Sequence, residues 1–291
     1  MAIKKHQILI KHHQFIQKGN RIIDRPIKIG DLAAIMICAQ YKRVIEHKHI
    51  SFQLMDDIHK NMRAEILFQD TIDVFLHEEN SDIEIYDPGI LWVVAPYYVK
   101  SYGGQVIPRL NLADEIYTGP ELDWGNYIVF SPLFDANYNI ARNMNVKFAN
   151  DLIQRLFDEY NERLVIITNH PDKIEHKHVS TIVTPNLYDI IYIIGRAKSF
   201  VGGDTGFSHF AGLLCVPNIV SIYGNNTHSE NYILNQEGFN RPFSLQGQFM
   251  FEPWITYPNI NNKLTKHTKF ILNKNSLLSH EIDRIAKIVD S

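Results

Sequence analysis

The chain has very little cysteine: two residues in 291, Cys38 and Cys215, each inside an apolar run. Two thiols cannot staple a chain of this size, so they read as buried, reduced side chains, and a reducing compartment is expected. No unbroken apolar stretch approaches the roughly 18 residues of a membrane span. The opening residues MAIKKHQILIKHHQF lack the apolar core of a secretory signal. Low-complexity tracts and internal repeats are missing too. Formal net charge is -3, which supplies no global positive field for nucleic acid or a membrane surface. Together these absences leave a globular protein, expected in the cytoplasm, long enough for two domains.

Two nucleotide-binding fingerprints are also absent. There is no G-x-G-x-x-G of a dinucleotide fold and no G-x-x-x-x-G-K-[ST] of a P-loop. Dehydrogenase and P-loop NTPase chemistry are set aside on that ground.

What is present is a regular alternation from about residue 126. YIVFS (127–131) and LVIIT (164–168) read as strands, as does the shorter STIVT (180–184). Between them, VKFANDLIQRLFDEY (146–160) carries apolar residues at helical spacing. LYDIIYIIGRAK (187–198) reads as a helix, SFVGG as a strand end, TGFSHFAGLL as a helix and NIVSIYG as a strand. Strands alternating with helices predict a parallel, doubly wound sheet. The first 120 residues are similar in kind. QILIK, a helix in DLAAIMICAQYKRVIEH, ISFQL, a helix through DDIHKNMRAEILF, then TIDVFL and ILWVVAP suggest a second α/β unit. The turn-forming stretch IYTGPELDWGN (116–126) marks the boundary. The fold class expected is therefore α/β, with two Rossmann-like domains facing across a cleft, residues 1–122 and 123–291. The last helix, with Ile282, Ile285 and Ile288 on one face, is expected to pack back toward the first domain.

One stretch concentrates chemistry: VGGDTGFSHFAGLLCVPNIVSIYG, residues 201–224. Glycines at a strand-to-helix junction allow positive φ and close approach of a ligand to the main chain. The first N–H groups of the helix have no intrahelical partner, and the helix dipole is positive there. Gly203, Asp204, Thr205 and Gly206 thus form an anion site suited to a diphosphate. His209 lies roughly 160° around the helix from the apolar cluster, at about 100° per residue, and is expected to point toward a ligand or the cleft. The same residues also read as a plain tight turn with Asp204 as an N-cap.

Residues 186–224, NLYDIIYIIGRAKSFVGGDTGFSHFAGLLCVPNIVSIYG, resemble the C-terminal signature of the glycosyltransferase family 9 heptosyltransferases, which have the GT-B fold. Asp204, Thr205, Gly206, His209, Ala211, Pro217 and Gly224 fall on that signature. Upstream, IGDLAAIMICAQYKRVIEHKHISFQL resembles the family's N-terminal Gly-Asp turn and helix, and Gly30-Asp31 match the pair. The chain departs from the family in its KGNRIIDRP insertion (18–26) and in lacking a Lys-x-Trp-Pro element, where NIARNMNVKF (139–148) stands.

The resemblance implies an inverting transfer of a sugar from a nucleotide-diphosphate sugar to an acceptor hydroxyl. Asp31 would be the general base. Gly203, Asp204, Thr205, Gly206 and His209 would hold the diphosphate, with Arg142 as the cation available to grip it. The nucleobase would lie near Thr184, Leu187 and Tyr188, and Gly224 and Asn225 could line the donor pocket. Asp31 alone would equally be an N-cap, and Arg142 a solvated cation. No cofactor beyond the donor is implied. No Asp-x-Asp pair is present, and the paired histidines His12-His13, His47/His49 and His176/His178 lack the companions of a zinc site, so no metal is expected. The acceptor expected is a glycan. A hydroxylated DNA base remains an alternative, with Lys4, Lys5 and Lys11 as a local basic strip, as do a sugar-nucleotide epimerase and an inactive nucleotide-sugar binder.

Overall fold

The computed structural model describes residues 8–9, 13–18, 21–26, 29–53, 61–76, 84–85, 88–123, 126–132, 134, 144–177, 180–182, 186–203, 205–223, 266–271 and 278–290.

The C-terminal half is built on six strands, β7 (Ile128–Ser131), β8 (Leu164–Ile167), β9 (Ser180–Ile182), β10 (Ser199–Gly203), β11 (Asn218–Tyr223) and β12 (Lys266–Ile271). They form one sheet in the order β9-β8-β7-β10-β11-β12. Every pairing is parallel, and this is the dinucleotide-fold order 3-2-1-4-5-6. The strands read as unbroken apolar runs because helices cover both faces: β7, β8 and β10 are buried along their whole length.

Helix α4 (Val146–Tyr160) covers one face. Its start is fixed by Asn145, whose side chain accepts a hydrogen bond from the Phe148 N–H at 3.1 Å. Phe148, Leu152, Leu156 and Tyr160 are buried on the sheet, while Lys147–Asp151 and Arg155–Glu159 pair along its outer side. The last helix, α7 (Leu278–Asp290), lies beside it with Ile282 and Ile285 buried. Asp283 accepts from Arg155, and the carbonyls of Ile288 and Val289 accept from the Asn218 amide. The expectation that this helix returns to the first domain is thus corrected: its apolar stripe is used up on the C-terminal sheet. The opposite face carries α5 (Leu187–Gly195) and α6 (Gly206–Leu213).

The N-terminal half is smaller. β1 (Ile8–Leu9) pairs in parallel with β6 (Glu84–Ile85), and β4 (Ser51–Gln53) with β5 (Val74–Leu76). β1 also lies beside β4. Helix α1 (Ile29–Val44) is buried from Asp31 to Ala39, short α2 (Ala64–Leu67) follows β4, and α3 (Pro88–Tyr102) packs along α1. The ILWVVAP run lies inside α3, because an apolar run of this length fits either a buried strand or a buried helix. The KGNRIIDRP insertion belongs to an antiparallel hairpin, β2 (His13–Lys18) with β3 (Arg21–Pro26), whose register places Lys18 opposite Arg21.

The two halves share a core. One continuous cluster contains Leu32 through Ala39 of α1, Phe68, and Ala95 and Val99 of α3. From the C-terminal half it takes Tyr188, Ile191 and Tyr192 of α5, with Phe210 and Leu213 of α6. The rings of Phe68 and Phe210 stand 6.4 Å apart.

Candidate active site

The strand order places one crevice where chemistry is expected. From β7 the chain leaves through α4 toward β8; from its neighbour β10 it leaves through α6 toward β11, on the other side. The carboxyl ends of β7 and β10 therefore part company at a topological switch point, the usual ligand position in an open α/β sheet. Ser131, the last residue of β7, pairs with Gly202 at this edge.

The turn from β10 into α6 is shaped by packing. Thr205 is the N-cap in extended conformation (φ -129°, ψ 165°), and its side chain makes no capping bond. Its Oγ1 is buried without a hydrogen-bond partner among the described residues, a costly state that a ligand oxygen would relieve. Ser208 donates through Oγ to the Gly203 carbonyl at 2.7 Å, tying the first turn of α6 to the end of the strand. The turn glycines do not serve positive φ: among the described glycines only Gly103 has it, at 60°. Gly202 is small because a Cβ there would meet the Phe200 ring at 2.8 Å, and Gly206 because α1 sits on it.

That second contact defines the site. A Cβ on Gly206 would lie 2.7 Å from the backbone nitrogen of Gly30 and 2.9 Å from the Ile29 side chain. The starts of α1 and α6 therefore abut. Gly30 is the second residue of α1, so its N–H has no acceptor within its own helix. Each helix start carries about half a positive charge, and two such ends brought together favour an anion beside them over an empty site. Asp31 follows in the first turn of α1, buried at 8% exposure. The fold thus joins, from opposite halves, the Gly30-Asp31 pair and the Thr205-Gly206 turn that the sequence singled out 175 residues apart in numbering.

Other expected site residues fall in different places. His209 is half-buried on α6. That helix does not bury a single stripe, because it lies between α1 and the sheet: Ser208 and Leu213 are buried along with Phe210 and Ala211. Leu187 is half-buried at the start of α5. Tyr188 is wholly buried, and its hydroxyl accepts from the Ala113 N–H at 2.8 Å and donates to the Ala113 carbonyl at 3.1 Å. Burial raises its phenol above the ordinary range. Its side chain is thereby committed to the strap that joins the halves. Asp204, Arg142, Thr184, Gly224 and Asn225 lie outside the described residues.

The strap itself escaped the sequence reading. Residues 111–120 run over α5, where Thr118 donates from its N–H and its hydroxyl to the two oxygens of buried Asp189, at 3.1 and 2.7 Å. Tyr117 stacks on Tyr192 with centroids 4.3 Å apart, and Tyr192 and Arg196 both donate to Asp114. Its only sequence signal was an excess of polar and aromatic residues on the helix LYDIIYIIGR, which a wholly buried helix would not need.

No protein-family model matches the sequence, and no curated protein does. Solved structures do. ADP-heptose lps heptosyltransferase II of E. coli superposes with a TM-score of 0.52 at 10% identity, covering 98% of both chains. The iron-containing dodecameric glycosyltransferase TibC from enterotoxigenic E. coli H10407 gives 0.50 at 12% identity, over 85% of this chain and 74% of that one. A glycosyl transferase family 9 protein from Veillonella parvula aligns over 99% of this chain with a TM-score of 0.47. Two α/β halves, a six-stranded parallel sheet in the second and an end-to-end match give this chain the GT-B fold of the heptosyltransferases.

Proposed function

We propose that the protein is a glycosyltransferase that moves a sugar from a nucleotide-diphosphate donor to an acceptor hydroxyl. The observation that carries this reading is the meeting of two helix starts at the switch-point edge, with a buried carboxylate in the first turn of one of them. The leaving diphosphate develops negative charge as the glycosidic bond breaks. N–H groups of Thr205 and Gly206, the starts of both helices and the Thr205 hydroxyl would stabilise it. Asp31 would take the proton of the acceptor hydroxyl as its oxygen attacks the anomeric carbon, and the direct displacement inverts that carbon. No metal and no cofactor enter this scheme, since the backbone supplies the countercharge. Arg142 would add a cation to the diphosphate, and Leu187 with the main chain at Tyr188 would border the base.

The acceptor proposed is a glycan hydroxyl. The fold shared with an ADP-heptose lps heptosyltransferase names the first donor to try. Release of nucleoside diphosphate from ADP-, UDP- and GDP-linked sugars, in the presence of glycan acceptors, tests the reading. Turnover of one donor is expected, with the product's anomeric configuration inverted. Binding of a donor without any turnover would move the protein to the class of nucleotide-sugar binders, and epimerised sugar nucleotide would replace transfer by epimerisation.

A further inference from the structure

A transferase assembled from two facing domains can set the gap between its base and its leaving group in two ways. It can close a hinge around the donor, or it can hold the gap fixed beforehand. Relative motion is the default where domains meet through a small polar interface. Here the meeting is of another kind.

Three features join the halves without slack. The core cluster passes from α1 and α3 into α5 and α6, so any hinge motion would tear apolar contacts such as Phe68 against Phe210. The strap binds across α5 by the paired Tyr188–Ala113 hydrogen bonds and the two bonds from Thr118 to Asp189. At the site itself, the backbone of Gly30 and the side chain of Ile29 occupy the place where any side chain on residue 206 would be.

We propose that Gly206 is a positioning residue: by carrying no side chain it seats the start of α1 on the start of α6, and so fixes the interval between Asp31 and the Thr205-Gly206 turn before any substrate binds. The chemical meaning of that interval rests on the transferase reading above; the seat itself does not. A side chain at 206 must push the halves apart, since a separation of 2.7 Å has to grow to an ordinary carbon contact of about 3.5–4.0 Å. The displacement is about 1 Å, enough to spoil an attack geometry that needs its reacting atoms within about 3–3.5 Å.

The test is a distance measured between the halves. Spin labels on Asp70→Cys in the N-terminal half and Asp158→Cys in the C-terminal half, both exposed positions, report it in the full chain. One narrow distribution is expected without ligand, moving by less than about 2 Å when ADP or UDP is added at millimolar concentration. Adding Gly206→Val is expected to lengthen the mean distance by about 1 Å or more, with Gly206→Ala as the milder variant should valine prevent folding. A residue needed only for stability would lower the melting temperature and leave the distance of the folded protein unchanged. A broad or two-peaked distribution in the unliganded protein, or the same distance with glycine and alanine at 206, would overturn the proposal. Failure of either nucleotide to bind bears on the donor reading alone, because the unliganded distances are measured without it.

Discussion

A side-chain carbon placed on Gly206 would stand 2.7 Å from the backbone nitrogen of Gly30. Through that contact a turn in the C-terminal half and a turn in the N-terminal half become one site, with two helix starts and one buried carboxylate.

Asp31→Asn separates binding from chemistry. The substitution removes the proton acceptor and keeps the shape, so donor turnover is expected to fall by about 10²–10⁴-fold. Affinity for the nucleoside diphosphate, measured by calorimetry, should stay close to wild type. Equal loss of binding and turnover would make Asp31 a structural cap.

Phe210→Ala tests the shared core. The ring is fully buried among residues of both halves, and its loss should cost about 3–5 kcal/mol. Because the cluster is continuous, thermal unfolding is expected as one transition that shifts as a whole. Two separated transitions would mean that the halves fold independently.

Tyr188→Phe tests the strap. The hydroxyl satisfies both backbone groups of Ala113, so its removal should cost about 1–3 kcal/mol. Nucleoside diphosphate affinity should not change, since this hydroxyl is spent within the protein. A marked loss of affinity with preserved stability would return Tyr188 to the binding site.

Cys38 offers a check by pH. Burial pushes its thiol up to about 12 from an ordinary 9, so the native protein keeps that proton while the unfolded chain releases it from about pH 9. Stability is therefore unaffected below pH 9 and declines between 9 and 12, where the unfolded state binds fewer protons. A thiol reagent at pH 8 should leave Cys38 unmodified until denaturant is added, as peptide mapping would show. Rapid native labelling at Cys38 would mean that α1 is not buried as described.

Much of the C-terminal half was legible because β7, β8 and β10 are short, mostly apolar, buried runs with helices between them. The periodicity of VKFANDLIQRLFDEY gave α4 its observed limits, Val146–Tyr160. The start of α5 at Leu187 was read from its apolar run, and the structure adds its cap: the Asn186 side chain accepts from the Tyr188 N–H. The N-terminal half was harder. Its β2-β3 hairpin was not read, because the alternation of β3 is broken by adjacent isoleucines at 22 and 23. Strand β12, KHTKFI, is polar for an inner sheet, and it is the edge neighbour of β11. In the site, residue types marked the Thr205-Gly206 turn, whereas Gly30-Asp31 was marked by the family resemblance and read by itself as a helix cap. Why residue 206 is glycine could not be read, because its reason lies in a backbone 176 positions away. Tyr188 carried no mark of its task either: a tyrosine on an apolar helix reads the same whether its hydroxyl meets a ligand or a strap.

Calorimetric titration of the wild-type protein with ADP, UDP, GDP, CDP and inorganic pyrophosphate tests the central claim, an anion site between two helix starts. The account predicts that one nucleoside diphosphate binds with a Kd below about 1 mM, that its monophosphate binds more weakly, and that pyrophosphate competes with it. Absence of binding by all four diphosphates and by pyrophosphate would contradict the account and leave the turn at Gly206 as packing alone.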